Sequence, residues 1–159
     1  MTQQTTDTPV RRSVTVAVPV EKAFAVFTER FDTWWPAEHH IGAADYQGAE
    51  LEPRQGGRWY ERGTDGSECD WGQVLAWEPP HRLLLSWQIT PDWQPEPELA
   101  RSSEVEVRFT AEGPDRTRVD VEHRGFDRHG PTGDSMRQAV FGEGGWGTIL
   151  QKYTAALGG

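Results

Sequence analysis

The chain has 159 residues, of which 35% are hydrophobic and 26% are charged, with a formal net charge of −9. The length suits one domain, and the negative charge argues against a nucleic-acid partner, because binding phosphates requires a basic surface. Its single cysteine, Cys69, excludes an internal disulfide and a cysteine-based zinc site. No apolar run approaches the roughly 20 residues that span a bilayer. We therefore expect a cytoplasmic protein with no membrane contact, no metal and no cofactor.

Residues 1–9 are polar and are predicted to form a disordered leader ahead of a single domain over 10–157. Residues 12–18 alternate valine with small or polar residues, which is typical of a half-buried strand. Pro19 then opens a helix with one apolar face. A second short helix is predicted over 31–35.

Alternating residues and turn signals follow until about residue 125. Six further strands are predicted, over 46–52, 58–62, 68–78, 81–90, 103–111 and 116–125. Short links between consecutive strands indicate an antiparallel meander, and Gly72 suggests a bulge. Helical spacing returns over 134–157, interrupted by the glycine-rich run 142–145.

This order predicts an α+β fold, in which an antiparallel sheet of about seven strands curls around a long C-terminal helix. Two short helices follow the first strand. The gap between the sheet and the C-terminal helix is the expected ligand site.

Eight tryptophans stand out in a chain of this size, and such side chains either fill a core or line an aromatic cavity. Strand alternation assigns a set of residues to the inward face. The predicted ligand-binding residues are Trp59, Glu61, Trp71, Gln73, Leu85, Trp87, Phe109, His123 and Trp146. Glu61 and His123 are the candidate catalytic pair, because a buried Glu–His pair shifts both pKa values and serves as acid and base or as a ligand clamp. The alternative is a structural His123 and a Glu61 that bends out to water.

Several motifs occur in a characteristic order along residues 10–157. They include Trp34-Trp35-Pro36, Gly56-Gly57-Arg58-Trp59-Tyr60-Glu61, Gly72 to Leu75, Leu83 to Trp87, His123 to Phe126, and Gly145-Trp146. Together they resemble the START-like helix-grip superfamily, also called SRPBCC, in the branch related to the activator of the heat-shock-protein-90 ATPase. The resemblance implies a helix-grip fold. The superfamily includes lipid carriers, hormone receptors, polyketide aromatase/cyclases and chaperone regulators.

A narrower resemblance rests on Trp34 to Pro36, Gly56 to Glu61, and the segments 117–123, 126–128 and 148–151. These are similar to the self-sacrificing resistance proteins of calicheamicin producers, which bind an enediyne antibiotic and are cleaved in its place. The resemblance implies radical abstraction from a backbone glycine. In this chain the loop 91–101 has three prolines and no glycine. The glycines nearest the expected cavity are Gly142, Gly144, Gly145 and Gly147.

The function predicted from these observations is binding of a small apolar or aromatic molecule, in natural-product self-resistance or as an accessory to biosynthesis. We expect a monomer or a homodimer. One alternative is a polyketide cyclase-like enzyme that uses Glu61 and His123. The other is a co-chaperone that binds a chaperone through its outer surface. A cavity above about 300 Å³ favours the first two, and an exposed apolar patch of several hundred Å² favours the third.

Overall fold

The computed structural model describes residues 9–35, 45–90, 94, 96, 98–141 and 145–157. The predicted leader therefore lies outside the described residues, apart from Pro9. The strands are β1 Val10–Val16, β2 Tyr46–Leu51, β3 Arg58–Gly63, β4 Glu68–Glu78, β5 Arg82–Trp87, β6 Ser103–Gly113 and β7 Arg116–Arg124. The α-helices are α1 Val20–Thr28, α2 Phe31–Trp34, α3 Gly133–Phe141 and α4 Trp146–Ala156, and two 3₁₀ segments cover Leu99–Arg101 and Phe126–Thr132.

All seven strands form one antiparallel sheet in the order β1-β7-β6-β5-β4-β3-β2. The meander from β2 to β7 pairs each strand with its successor, and β1 closes onto β7 with Val14 opposite Val119. The predicted α+β helix-grip architecture is confirmed.

Strand β4 contains the predicted bulge, and its position decides which side chains face inward. Trp59 pairs with Gly72 whereas Tyr60 pairs with Asp70, so Trp71 is an extra residue in β4. The extra residue inverts the alternation, because side chains change faces at every step along a strand. Trp71 is buried, and Gln73 is exposed on the opposite face. The prediction that Gln73 shares the inward face is therefore wrong.

The C-terminal segment contains two helices, where a single interrupted helix was predicted. Helix α3 ends at Phe141, and α4 begins at Trp146 with Gly145 as its N-cap residue. The side chains predicted to face the sheet from α4 are all buried: Trp146, Ile149, Leu150 and Tyr153. Tyr153 also donates a hydrogen bond of 2.6 Å to the carbonyl of Ala23, which ties α4 to α1.

Within the described part of the chain, every helix is too short or too polar to cross a lipid bilayer.

Candidate functional site

Seven side chains form an aromatic cluster between the inner face of the sheet and helices α2 and α4. The members are Phe31, Trp35, Trp59, Trp71, Trp87, His123 and Trp146. Neighbouring ring centroids in the cluster lie 4.9–6.3 Å apart, in edge-to-face, tilted or stacked geometry. No member is more than 6% exposed. The structure thus brings together five of the predicted binding residues, and it adds Phe31 and Trp35.

The Trp59 indole is positioned by a contact across the sheet. Its Nε1–H donates to the carbonyl of Ser86 at 2.8 Å, and the ring crosses the backbone of Gly72. A Cβ atom at residue 72 would lie 2.2 Å from Trp59 Nε1 and 1.9 Å from the Ser86 oxygen. The cluster therefore requires glycine at this position, because no side chain fits in that space.

The indole N–H groups of the cluster do not all have partners. Trp71 donates to Glu61 Oε1 at 2.9 Å, and Trp146 donates to His123 Nδ1 at 3.0 Å. Trp87 Nε1 is buried and has no hydrogen-bond partner among the described residues. A buried donor without an acceptor costs about 1–3 kcal/mol. The cluster therefore contains one donor that an oxygen atom of a ligand would satisfy.

Glu61 is a buried carboxylate, only 1% exposed, at the side of the cluster formed by β3 and β4. The hydrogen bond from Trp71 offsets part of the cost of removing a carboxylate from water. Glu61 is therefore buried and hydrogen-bonded to a ring of the cluster. The alternative in which it bends out to water is excluded.

His123 belongs to a chain of hydrogen bonds that leads away from the cluster. Its Nε2 lies 2.7 Å from Ser103 Oγ, which lies 2.9 Å from His129 Nε2. Burial holds the pKa of His123 well below its usual range, and the nearby His129 lowers it further. Burial also lowers the pKa of His129, while the charge of Glu96 raises it and that of Arg101 lowers it.

Glu61 and His123 do not form the predicted pair. Strands β3 and β7, which carry them, are separated in the sheet by β4, β5 and β6. Both ring nitrogens of His123 are engaged, by Trp146 and by Ser103. The reason is topological, because residues that share a face of a curled sheet need not lie on adjacent strands.

The remaining predicted site residues have different positions. Leu85 is buried on β5, two residues before Trp87. Phe109 packs against α1, with its ring centroid 5.1 Å from that of Phe24 and 5.6 Å from that of Phe27.

Of the four glycines singled out from the sequence, Gly142 and Gly144 lie outside the described residues. Gly145 and Gly147 flank Trp146 of the aromatic cluster.

Two residues of the hydrogen-bond chain were missed by the sequence reasoning. Ser103 lies two residues before Val105 on β6, so strand alternation predicts that both side chains face inward. His129 follows a turn at Gly125, whose φ of 80° is left-handed, and no periodic pattern locates it.

One surface pocket borders the cluster, and a larger groove lies on the opposite face of the sheet. A pocket of about 290 Å³ lies between the end of α1 and β2 and reaches the cluster at Phe31. Its lining residues are Thr28, Glu29, Phe31, Ala49, Glu50, Leu51, Glu52 and Pro53. A larger groove of about 910 Å³ has six arginines and three acidic residues in its lining, centred on the outer face of β1, β7 and β6, and does not suit an apolar ligand.

Comparison with known proteins shows one family and several similar structures. A family model described as Activator of Hsp90 ATPase homolog 1-like protein matches residues 17–158. The chain is 39% identical to the anthrahydroquino-γ-pyrone synthase Txn09, solved in complex with the ligand SUM, over 96% of this chain and 99% of that one, with a TM-score of 0.66. No curated protein is significantly similar.

Two proteins from Micromonospora echinospora are also similar. The self-sacrificing resistance protein CalC is 34% identical over 96% of this chain and 95% of that one, with a TM-score of 0.66. CalU16 is 23% identical over 94% of this chain and 83% of that one, with a TM-score of 0.57, and this likeness shows the fold alone. The resemblances inferred from the sequence motifs are confirmed.

Proposed function

This chain belongs to the family of activator of Hsp90 ATPase homolog 1-like proteins, and we propose that it binds a planar aromatic small molecule at the aromatic cluster. The ligand is of the polyketide or enediyne type, and the role is in natural-product biosynthesis or self-resistance. Txn09 is named as a synthase of an aromatic pyrone, and CalC is named as a resistance protein, which supports this assignment.

The observation that carries the proposal is the unpartnered N–H of Trp87 within the cluster. Ring faces stabilise a planar aromatic ligand by stacking and by area burial. A carbonyl or ether oxygen on that ligand would accept from Trp87 and remove the cost of the orphaned donor. The proposed ligand is therefore an oxygenated aromatic molecule and not a plain hydrocarbon or a lipid tail.

The pocket beside Phe31 supports an approach from the β2 edge of the sheet. Part of its lining is apolar, and Phe31 belongs both to the pocket and to the cluster. Because the rings of the cluster already contact one another, a ligand must turn the rings nearest this edge to reach Trp87. We propose that Phe31 and Trp35 are the rings that move.

The two alternatives have less support. The cyclase-like alternative requires a Glu61–His123 pair, and each of these side chains is bonded to other partners. The co-chaperone alternative requires an extended apolar surface. In the described part of the chain, Leu99 and Phe141 are the exposed large hydrophobic residues, and two separate side chains do not form such a surface.

Binding of 1,8-dihydroxyanthraquinone, a planar tricyclic compound with carbonyl acceptors, tests the proposal. We expect saturable binding by titration calorimetry. Trp87→Phe keeps an aromatic ring and removes the N–H, so it should weaken binding about 5- to 10-fold, as expected for one hydrogen bond of about 1 kcal/mol. Trp77→Phe is the matched control, because Trp77 packs against Phe24 of α1, outside the cluster.

Anthracene, which has no oxygen, separates stacking from the hydrogen bond. Trp87→Phe should weaken anthracene binding less than it weakens quinone binding, because anthracene loses only stacking area and no hydrogen bond. The proposal fails if the quinone does not bind saturably, or if Trp87→Phe binds it as tightly as the wild type does.

A further inference from the structure

A continuous chain of four buried side chains joins the aromatic cluster to the segment that follows β7. The chain runs Trp146, His123, Ser103 and His129, and consecutive atoms are 3.0, 2.7 and 2.9 Å apart. Its members come from α4, β7, β6 and the 3₁₀ segment Phe126–Thr132. All four are at most 5% exposed, so water does not compete for these bonds.

The chemistry of the end group sets the direction of every bond. An indole N–H donates only, so His123 Nδ1 must accept from Trp146 and carries no proton. The proton of neutral His123 is then on Nε2, which donates to Ser103 Oγ. A hydroxyl has one hydrogen, and Ser103 therefore donates it to Nε2 of His129.

The chain could instead be taken for a nucleophile and base, because Ser103 and His129 lie at hydrogen-bonding distance. Two facts argue against that role. Ser103 is 0% exposed. Its oxygen accepts the N–H of His123, which lowers the nucleophilicity of the lone pair. The arrangement instead pairs the Trp146 N–H, both ring nitrogens of His123 and the Ser103 hydroxyl with one another and with His129.

We propose that Ser103 and His129 are positioning residues for the aromatic site, which act through His123 to hold the indole of Trp146 in place. His123 also contacts the Trp87 ring, at 4.9 Å between centroids, so its orientation bears on both tryptophans. The consequence for ligand binding rests on the proposed function. The hydrogen-bond chain is a property of the ligand-free protein and is tested separately.

The first measurement is the protonation of the histidine rings by ¹⁵N–¹H NMR on the ligand-free wild-type protein near pH 7.5. His123 is expected to carry its proton on Nε2 alone, and His129 on Nδ1 alone. Trp146→Phe identifies the Trp146 indole resonance by its disappearance. A proton on Nδ1 of His123 would overturn the proposal whatever the variants do.

Three variants then test the positioning role. Ser103→Ala removes the shared oxygen, and His129→Leu removes the acceptor. His129→Gln keeps an acceptor oxygen near the position of Nε2. We expect Ser103→Ala and His129→Leu to shift the Trp146 indole resonance and to weaken binding of 1,8-dihydroxyanthraquinone by 3- to 10-fold. His129→Gln should stay within about twofold of the wild type.

The paired substitutions at His129 separate positioning from bulk packing. Equal effects of His129→Gln and His129→Leu would overturn the proposal, as would an unchanged Trp146 resonance in Ser103→Ala. Thermal denaturation monitors folding of each variant, and if Ser103→Ala does not fold, the wild-type ring protonation and the two His129 variants decide. If the wild type does not bind the quinone, the proposed function fails, and the NMR measurements still test the chain.

Discussion

The geometry of the aromatic cluster depends on a single residue that has no side chain. Gly72 lies under the Trp59 indole, at the point where that indole donates to the Ser86 carbonyl. The same residue follows the extra residue of the bulge in β4. The glycine thus permits the close approach of the ring, and it lies next to the change of register at which Trp71 is the extra residue.

Gly72→Ala is expected to destabilise the protein by about 3 kcal/mol or more, which is the upper end of the range for overpacked cores. The new methyl group would overlap the Ser86 carbonyl, and a backbone carbonyl in a sheet cannot move independently. Urea denaturation measures the change. Gly113→Ala is the control, since a Cβ there makes an ordinary contact of 3.8 Å with the Arg116 Cβ. We expect the control to change the free energy of unfolding by less than about 1 kcal/mol. Equal effects at the two sites would contradict this account of Gly72.

At the scale of elements, helix α4 packs its buried face against β1 and α2, and shares the cover of the inner face of the sheet with α1 and α2. Its buried side chains contact strands and helices that are remote in sequence, as Tyr153 does at Ala23. An 11-residue helix is marginal in isolation, so its stability comes from this packing. The reverse also holds, because the sheet loses its apolar contacts if α4 is removed.

Leu150→Ala should therefore lower the free energy of unfolding by about 2–5 kcal/mol, the range for a fully buried leucine. Leu150 is 1% exposed, whereas the adjacent Gln151 is exposed, so Gln151→Ala is the matched control and should change stability by less than about 0.5 kcal/mol. Chemical denaturation compares the two. Deletion of residues 145–159 is expected to abolish the cooperative transition, and a truncated protein that still melts cooperatively would show that α4 is dispensable.

At the scale of the whole molecule, buried ionisable groups make stability depend on pH in two separate windows. His123 and His129 are neutral in the folded protein because burial lowers the pKa of both rings. Burial raises the pKa of Glu106, but hydrogen bonds from Arg82, Arg124 and Arg108 outweigh it and lower that pKa to about 2. The unfolded pKa values are about 6.5 for the histidines and about 4.5 for Glu106. Each group therefore stabilises the folded protein fully only at a pH above its unfolded pKa.

The sign follows from proton linkage, because the unfolded chain binds more protons than the folded one in both windows. We expect the denaturant midpoint to be constant above pH 7, to fall as the pH drops below about 6.5, and to fall further between about 4.5 and 2. His129→Gln should reduce the first decline, with His123 supplying the rest, and leave the second unchanged. A midpoint that rises on acidification would show that the buried histidines do not control it, and an unchanged first decline in His129→Gln would show that His129 does not contribute.

Much of the fold is encoded locally and was predicted from the order of residues. The bounds of β4 were predicted to the residue, and the inward face of α4 was predicted from the spacing of Trp146, Ile149, Leu150 and Tyr153. These predictions hold because alternation and helical spacing are properties of neighbouring residues. The meander followed from short links, since a short link joins antiparallel neighbours.

The partners of the inward polar groups were decided only by the tertiary structure. The sequence predicted that Glu61 and His123 face inward. The order of strands decided that Glu61 is hydrogen-bonded to Trp71, and His123 to Ser103 and Trp146. The extra residue Trp71 in β4 inverts the alternation and places Gln73 on the outer face. The face of a residue follows its neighbours in the chain except at a bulge, while its partner is set by which distant strands and helices lie beside it.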